Sequence, residues 1–180
     1  MNMKKALLVG VIGSSALMIT ACGTNDVIYK DNIKDINIIT ESHNAAESLA
    51  KGLGVNSNDS VIVTSFADIN YLSQSSPLGR MLSQQVSSGL TKSGVKVIEL
   101  LTREAVYVKQ AQGEFVLSRD INRISQKASA PYAVAGTYAV GKNAAYVTAK
   151  LIKVETSEVM ASHDFKIPLG PDAKALARNK

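Results

Sequence analysis

A β-branched apolar run, Val61 to Ala67, leads through a polar stretch into a helix with well-marked ends, and a second apolar run, Val95 to Leu101, follows that helix with almost no joint. Ser76 supplies an N-cap hydroxyl, and Pro77 suits the first helical position, where a missing N–H costs nothing. Leu78, Met81, Leu82, Val86 and Leu90 recur at helical spacing up to Gly94, while Arg80, Ser83, Gln84, Ser87, Ser88 and Lys92 fill the other side. Such a helix covers a sheet with one face. Strand, helix and strand with short joints form a parallel crossover, expected to be right-handed. This unit commits the chain to a mixed α/β fold.

The rest of the chain extends that unit. Upstream, Ile38, Ser42, Ala45, Ala46, Leu49 and Leu53 share a helical face closed by Gly52 and Gly54, with His43 and Glu47 on the solvent side. Downstream, Ala105 to Lys109 and Glu114 to Leu117 flank Gln110 to Gly113 as an edge hairpin, and Ser118 caps a short helix using Ile121, Ile124 and Ala128. The last third reads as an antiparallel meander: Tyr132 to Val140, Ala145 to Val154 and Val159 to Ile167, with turns at Gly141 to Asn143 and Glu155 to Glu158. Beyond Pro168 and Pro171, the stretch 170–180 is a basic tail for which low order, or a frayed helix over Ala173 to Lys180, is expected.

The N-terminal stretch reads as an export signal outside the fold. Lys4 and Lys5 precede an apolar run, Ala6 to Ile19, and Thr20 and Ala21 stand before Cys22. That run is too short for a comfortable membrane span. The spacing resembles a lipobox, in which residues 1–21 are removed and the Cys22 thiol carries a diacylglyceryl group. Cys22 is the only cysteine, so a disulfide would lack its second half. Two or more acyl chains make release from a bilayer negligible. Gly23 follows the cysteine instead of the aspartate that retains bacterial lipoproteins in the inner membrane, and by that resemblance the outer membrane is favoured, with the domain facing the periplasm. Removing 21 of the 180 residues leaves 159, enough for one core. Two of the 20 Lys and Arg leave with the signal, so 18 remain against 15 Asp and Glu, a net of +3 with the signs well mixed. No basic block with interleaved aromatics appears, which argues against nucleic acid as a partner. Residues 22–37, polar with isolated Val27, Ile28 and Ile33, read as a tether to a domain at 38–169.

Three apparent active sites lack their companions. Gly136, Gly141 and Lys142 match most of a phosphate loop, yet Asn143 stands where Ser or Thr would hold magnesium, and Ala145 to Val154 reads as a strand where a helix is required. Ser48 and Lys51 have the serine-x-x-lysine spacing of penicillin-interacting enzymes, and Lys92, Ser93 and Gly94 imitate a second motif of theirs, but no Ser-x-Asn element stands between the two. Helix surface and helix C-cap account for both. His163 shares an apolar strand face with Val159, Ala161, Phe165 and Ile167, where a hydrogen-bonded core histidine is the commoner reading than a ligand, and His43 lies on another element. No catalytic residue and no metal site is assigned, and the only prosthetic group expected is the covalent lipid on Cys22.

Ser75 to Arg80, Gly113 to Asp120, and Gly136 with Thr137 resemble the FlgO family of flagellum-associated outer-membrane lipoproteins over roughly Ser60 to Leu169. The resemblance implies a non-enzymatic envelope role near the flagellar base, and a fold similar to the periplasmic domains of curli-secretion lipoproteins and the N-terminal domain of TolB. The implied partners are other flagellar envelope proteins or further copies of the chain as a homo-oligomer. A lipoprotein activator of cell-wall synthases is the competing class. In sheets with parallel strands the loops beyond the strand ends form the natural binding crevice. Here these are Asp68 to Ser76, carrying Tyr71 and Leu72, and Thr102 to Glu104, carrying Arg103; these three residues are the candidate partner contacts.

Overall fold

The elements follow one another as Ile38–Lys51 (α1), Ser60–Val63 (β1), Ala67–Asp68 (β2), Pro77–Lys92 (α2), Lys96–Ile98 (β3), Lys109–Ala111 (β4), Glu114–Val116 (β5), Tyr132–Val140 (β6), Ala144–Lys153 (β7), Glu158–Pro168 (β8) and Pro171–Ala177 (α3). The computed structural model describes residues 32–53, 59–72, 76–98, 109–111, 114–116 and 129–178. These belong to a compact unit spanning Asn32–Lys180. Cys22 with the signal expected before it, Arg103 with its loop, and the helix expected after Ser118 lie outside the described residues.

One mixed sheet runs in the order β3-β1-β6-β7-β8, with β2 also paired to β6. β1 is parallel to β3 and to β6, with Val61 opposite Val97 on one side and Tyr132 on the other. β6, β7 and β8 form the antiparallel meander. The expected parallel unit and its extension are therefore both present. β4 and β5 pair at Gln110 and Phe115 as a separate two-stranded sheet, shifted from the edge hairpin expected on the main one.

The continuous strand expected from Val61 to Ala67 is instead two pieces lying along β6. Thr64 still donates its amide to the Val134 carbonyl at 2.9 Å, but the Phe66 amide turns to the Gly79 carbonyl in the first turn of α2, at 3.2 Å. Two glycines permit this. A Cβ on Gly79 would meet the Phe66 carbonyl oxygen at 1.9 Å, and one on Gly136 would lie 2.3 to 2.5 Å from the Phe66 ring. The break thus seats α2 on β1 and lays an aromatic ring over the middle of β6.

α1, α2 and α3 all contribute to one face of the sheet. Ala46 and Leu49 of α1, Leu78, Leu82, Val86 and Leu90 of α2, and Ala173 of α3 pack with Val61, Val134, Tyr138, Val147, Leu151 and Ile167. Ala133, Ala135, Ile62, Ile152 and Val154 form a second cluster. β6 alternates between the two, so it is buried on both sides and reads as a nearly unbroken apolar run. α1 and α2 approach closely because Ala46 faces Gly89, and the buried Ser42 hydroxyl bonds the Gln85 amide oxygen at 2.9 Å.

Both ends of the domain are more ordered than the sequence suggests. The Asp35 carboxylate accepts from the Asp172 and Ala173 amides, each at 3.0 Å, Ile36 packs against the core, and the Asn37 side chain caps α1. The tether expected to end at Asn37 therefore gives way to folded chain before Asp35. The tail expected to have low order forms α3, because Ala173 is fully buried and Asp35 caps a helix whose own N-cap, Gly170, has no side chain.

Candidate functional site

The structure gives each motif-like stretch a structural job. Gly136 lies inside β6 beneath Phe66, Gly141 and Lys142 turn the β6–β7 hairpin, and a strand follows them, so no helix N-terminus faces a phosphate. Lys51 pairs with Glu47 at 3.2 Å on the exposed side of α1. Lys92 and Ser93 end α2, and Gly94 takes a left-handed φ of 83° there. His43, expected in solvent, is half-buried instead, with its ring against Gly89 in the α1–α2 seam. His163 is half-buried beside Phe165, their ring centroids 6.1 Å apart. Val159 does not share that face, because a register shift pairs Ile152 with Val159 directly after Leu151 with Ala161 and leaves Met160 as the extra residue. Among the described residues, no three His, Cys, Asp or Glu side chains come together as a metal site.

A buried polar network lies where the parallel strands end. Ser76, the N-cap of α2, accepts from the Gly79 amide at 2.9 Å and from the Tyr138 hydroxyl at 2.5 Å. Burial holds the Tyr138 hydroxyl above its usual pKa; the Ser76 bond opposes this, and the nearby Asp68 charge adds to it. Asp68 is itself buried and accepts from the Asn70 amide at 2.9 Å and from its side chain at 3.2 Å. A phenol kept neutral against a serine that caps a helix offers neither a base nor an activated nucleophile. The cluster fixes the loop beyond β2 to β6 and to α2.

Of the three contact residues expected from the sequence, Tyr71 is 54 % exposed and Leu72 is half-buried, while Arg103 lies outside the described residues. Tyr71 donates its amide to the Asp68 carbonyl at 2.9 Å, so the turn is fixed although its aromatic side chain is in solvent. Sequence reasoning missed Ile69, Val140 and Tyr146, each large, apolar and exposed at the same end. The signal was their position beside the Gly141 turn, which carries this meaning only once β2 is known to pair with β6. Elsewhere, an open groove of about 480 Å³ lies between α2 and the β1–β3 edge, lined by Val63, Ser65, Ser83, Ser87, Val97 and Ile98 among others. Its described lining combines apolar side chains with serine hydroxyls and the Gln84 amide.

Comparison with known proteins adds a family. The model described as FlgO protein matches residues 43–172. No curated protein matches the chain. Among solved structures, the LpoB C-terminal domain from Salmonella enterica is similar at 16% identity and a TM-score of 0.48, covering 72% of this chain and 99% of that one. The PelC dodecamer from Paraburkholderia phytofirmans is similar at 16% identity and a TM-score of 0.43, covering 66% and 81%. Lipoprotein GNA1162 from Neisseria meningitidis is similar at 17% identity and a TM-score of 0.41, covering 63% and 82%.

Proposed function

The chain belongs to the FlgO protein family, and from that premise we propose that it is a non-enzymatic lipoprotein of the outer membrane that serves flagellar assembly, anchoring or motility through protein contacts. The family match across residues 43–172 carries this reading, because it spans both the parallel unit and the meander. Cys22 is the lipid attachment point, and the domain faces the periplasm. The sites with serine, lysine or glycine spacing that suggest chemistry are occupied by a helix surface, a helix end and a hairpin, in keeping with a protein that acts by binding.

Reach separates the flagellar role from activation of a cell-wall synthase. With the compact unit beginning at Asn32, Gly23 to Asp31 is all that separates it from the anchor. At ~3.3 to 3.6 Å per residue, nine residues span at most about 32 Å, and a flexible chain of that length typically spans only about 15 to 18 Å. A collar at the outer membrane needs no more than that, whereas a partner rooted in the inner membrane would require a much longer arm. The test compares a deletion strain, the wild type and a strain with a long Gly-Ser insertion after Asn25 for swimming, flagellar ultrastructure and β-lactam sensitivity. Loss of motility or anchoring on deletion with unchanged β-lactam sensitivity is expected, and partial loss on insertion. Normal swimming with heightened β-lactam sensitivity would overturn the flagellar reading in favour of the synthase activator.

A further inference from the structure

Seven large hydrophobic side chains are exposed among the described residues, and five of them, Ile39, Ile69, Tyr71, Val140 and Tyr146, gather at one end of the sheet. Backbone bonds join the segments that carry them. The Ile69 amide donates to the Tyr138 carbonyl, two residues before Val140, and Tyr71 closes its turn on Asp68. A Cβ on Gly141 would sit 3.6 Å from the Tyr146 ring, so that ring lies over the hairpin turn. The other two, Val159 and Met160, start β8 at the far end.

The N-terminal segment enters at this same end. The Leu169 amide donates to the Asn143 carbonyl of the hairpin at 2.9 Å, the next residue, Gly170, abuts Asp35, and Asn37 caps the helix whose first turn holds Ile39. The folded chain therefore starts beside the apolar end, with only Gly23 to Asp31 between it and Cys22. A domain anchored through Cys22 is therefore held from this end.

We propose that the end formed by Ile69, Tyr71, Val140 and Tyr146 docks on the bilayer surface that holds the lipid of Cys22. This rests on the reading that Cys22 is lipidated. Two tyrosines suit the headgroup boundary, since each has an apolar ring and a hydroxyl that stays wet. A short tether keeps the patch at high effective concentration above the membrane, so a contact too weak to bind membranes by itself persists once anchored. Charged groups of both signs lie at this end, Lys34, Lys142 and Lys166, the last directly across the strand pair from Tyr146, with Glu41 and Asp172, so the contact is chiefly apolar and outlasts added salt.

The experiment uses the full lipidated protein in vesicles of phosphatidylethanolamine and phosphatidylglycerol containing a nitroxide-labelled lipid. Cys22 is the only cysteine and its thiol is consumed by lipid, so one introduced cysteine carries an environment-sensitive dye uniquely. The dye is placed by Lys142→Cys in the hairpin turn, or by Glu155→Cys in the β7–β8 turn at the opposite end. Expected is quenching and a blue shift at position 142 but not at 155, unchanged by added salt and lost when Tyr71→Ser and Tyr146→Ser are combined with Lys142→Cys. Protein that floats with the vesicles but keeps a solvent-like dye at 142 overturns docking and leaves the patch to a protein partner. Equal quenching at 142 and 155 overturns the orientation and the proposal with it. Protein that fails to float refutes lipidation first, a failure that flotation shows before any dye is read.

Discussion

Replacing Asp35 by alanine tests whether the segment before α1 is part of the fold. Its two carboxylate oxygens accept from the amides of Asp172 and Ala173, so a residue 137 and 138 positions away in sequence caps a helix whose own N-cap is glycine. Loss of an N-cap acceptor costs about 0.5 to 2 kcal/mol, and loss of a negative charge at a helix N-terminus about 0.3 to 1 kcal/mol, the latter partly screened here because one bond is solvent-exposed. A total near ~1.5 kcal/mol is expected. With a urea m-value of about 1 to 3 kcal/mol/M, that lowers the unfolding midpoint by roughly 0.5 to 1.5 M and the melting temperature by about 3 to 6 °C. The same variant should release Lys174 and Arg178 to trypsin while the rest of the domain stays protected. Asp35→Asn, which keeps one acceptor oxygen of two, should fall between the two proteins. An Asp35→Ala midpoint within error of wild type, with the tail cut no faster, would refute the view that this contact locks the two ends of the domain together.

Further outcomes follow from the strand ends and the anchor. Ser76→Ala removes a helix cap and strands the buried Tyr138 hydroxyl, for a loss of about 2 to 4 kcal/mol in urea unfolding; a second change, Tyr138→Phe, should recover part of it, so the cycle is non-additive. Because the folded Tyr138 pKa is raised, its contribution is complete below the unfolded value near ~10 and is lost as pH climbs through the folded one; alkaline destabilisation should therefore be smaller in Tyr138→Phe. Gly136→Ala forces a methyl into the Phe66 ring and should cost about 1 to 3 kcal/mol or more by thermal melting. Cys22→Ala should abolish incorporation of a fatty-acid analogue and release the protein from the membrane fraction; label that persists would contradict lipidation there.

Local signals read true where the chain itself supplies both partners of an interaction. Ser76 and Pro77 start α2 as their types suggest, since the cap bonds Gly79 three residues on. The meander strands emerge within a residue of the positions that alternation and the Gly141 turn indicate. What stayed hidden depends on partners distant in sequence. Nothing near Phe66 says that its amide will leave the ladder for Gly79, and that choice splits the strand. A seven-residue helix with one fully buried alanine carries a pattern weak enough to suggest fraying, and the cap that holds it comes from the other end of the domain. Alternation puts His163 on a face with Val159 because it assumes one residue per step, and the extra residue at Met160 breaks that count without any change of composition.

The strand-end site was half legible for the same reason. Tyr71 and Leu72 stand out as apolar residues in a polar loop, and the structure separates them, leaving Leu72 partly covered while Tyr71 stays in solvent on a turn held by Asp68. An exposed aromatic on an unrestrained loop is easily an accident of sequence. One on a turn fixed by β-pairing and by a buried Asp68 is held in place at the cost of leaving its ring in water. Scattered surface hydrophobics need no explanation, but a contiguous group does. Here the group comes to one end of the sheet only when β2, β6 and the hairpin are brought together, and its position beside the chain's point of entry then distinguishes it from Val159 and Met160 at the far end. In the proposed docking end, Tyr71 thus counts less by its type than by the company that the sheet register gives it.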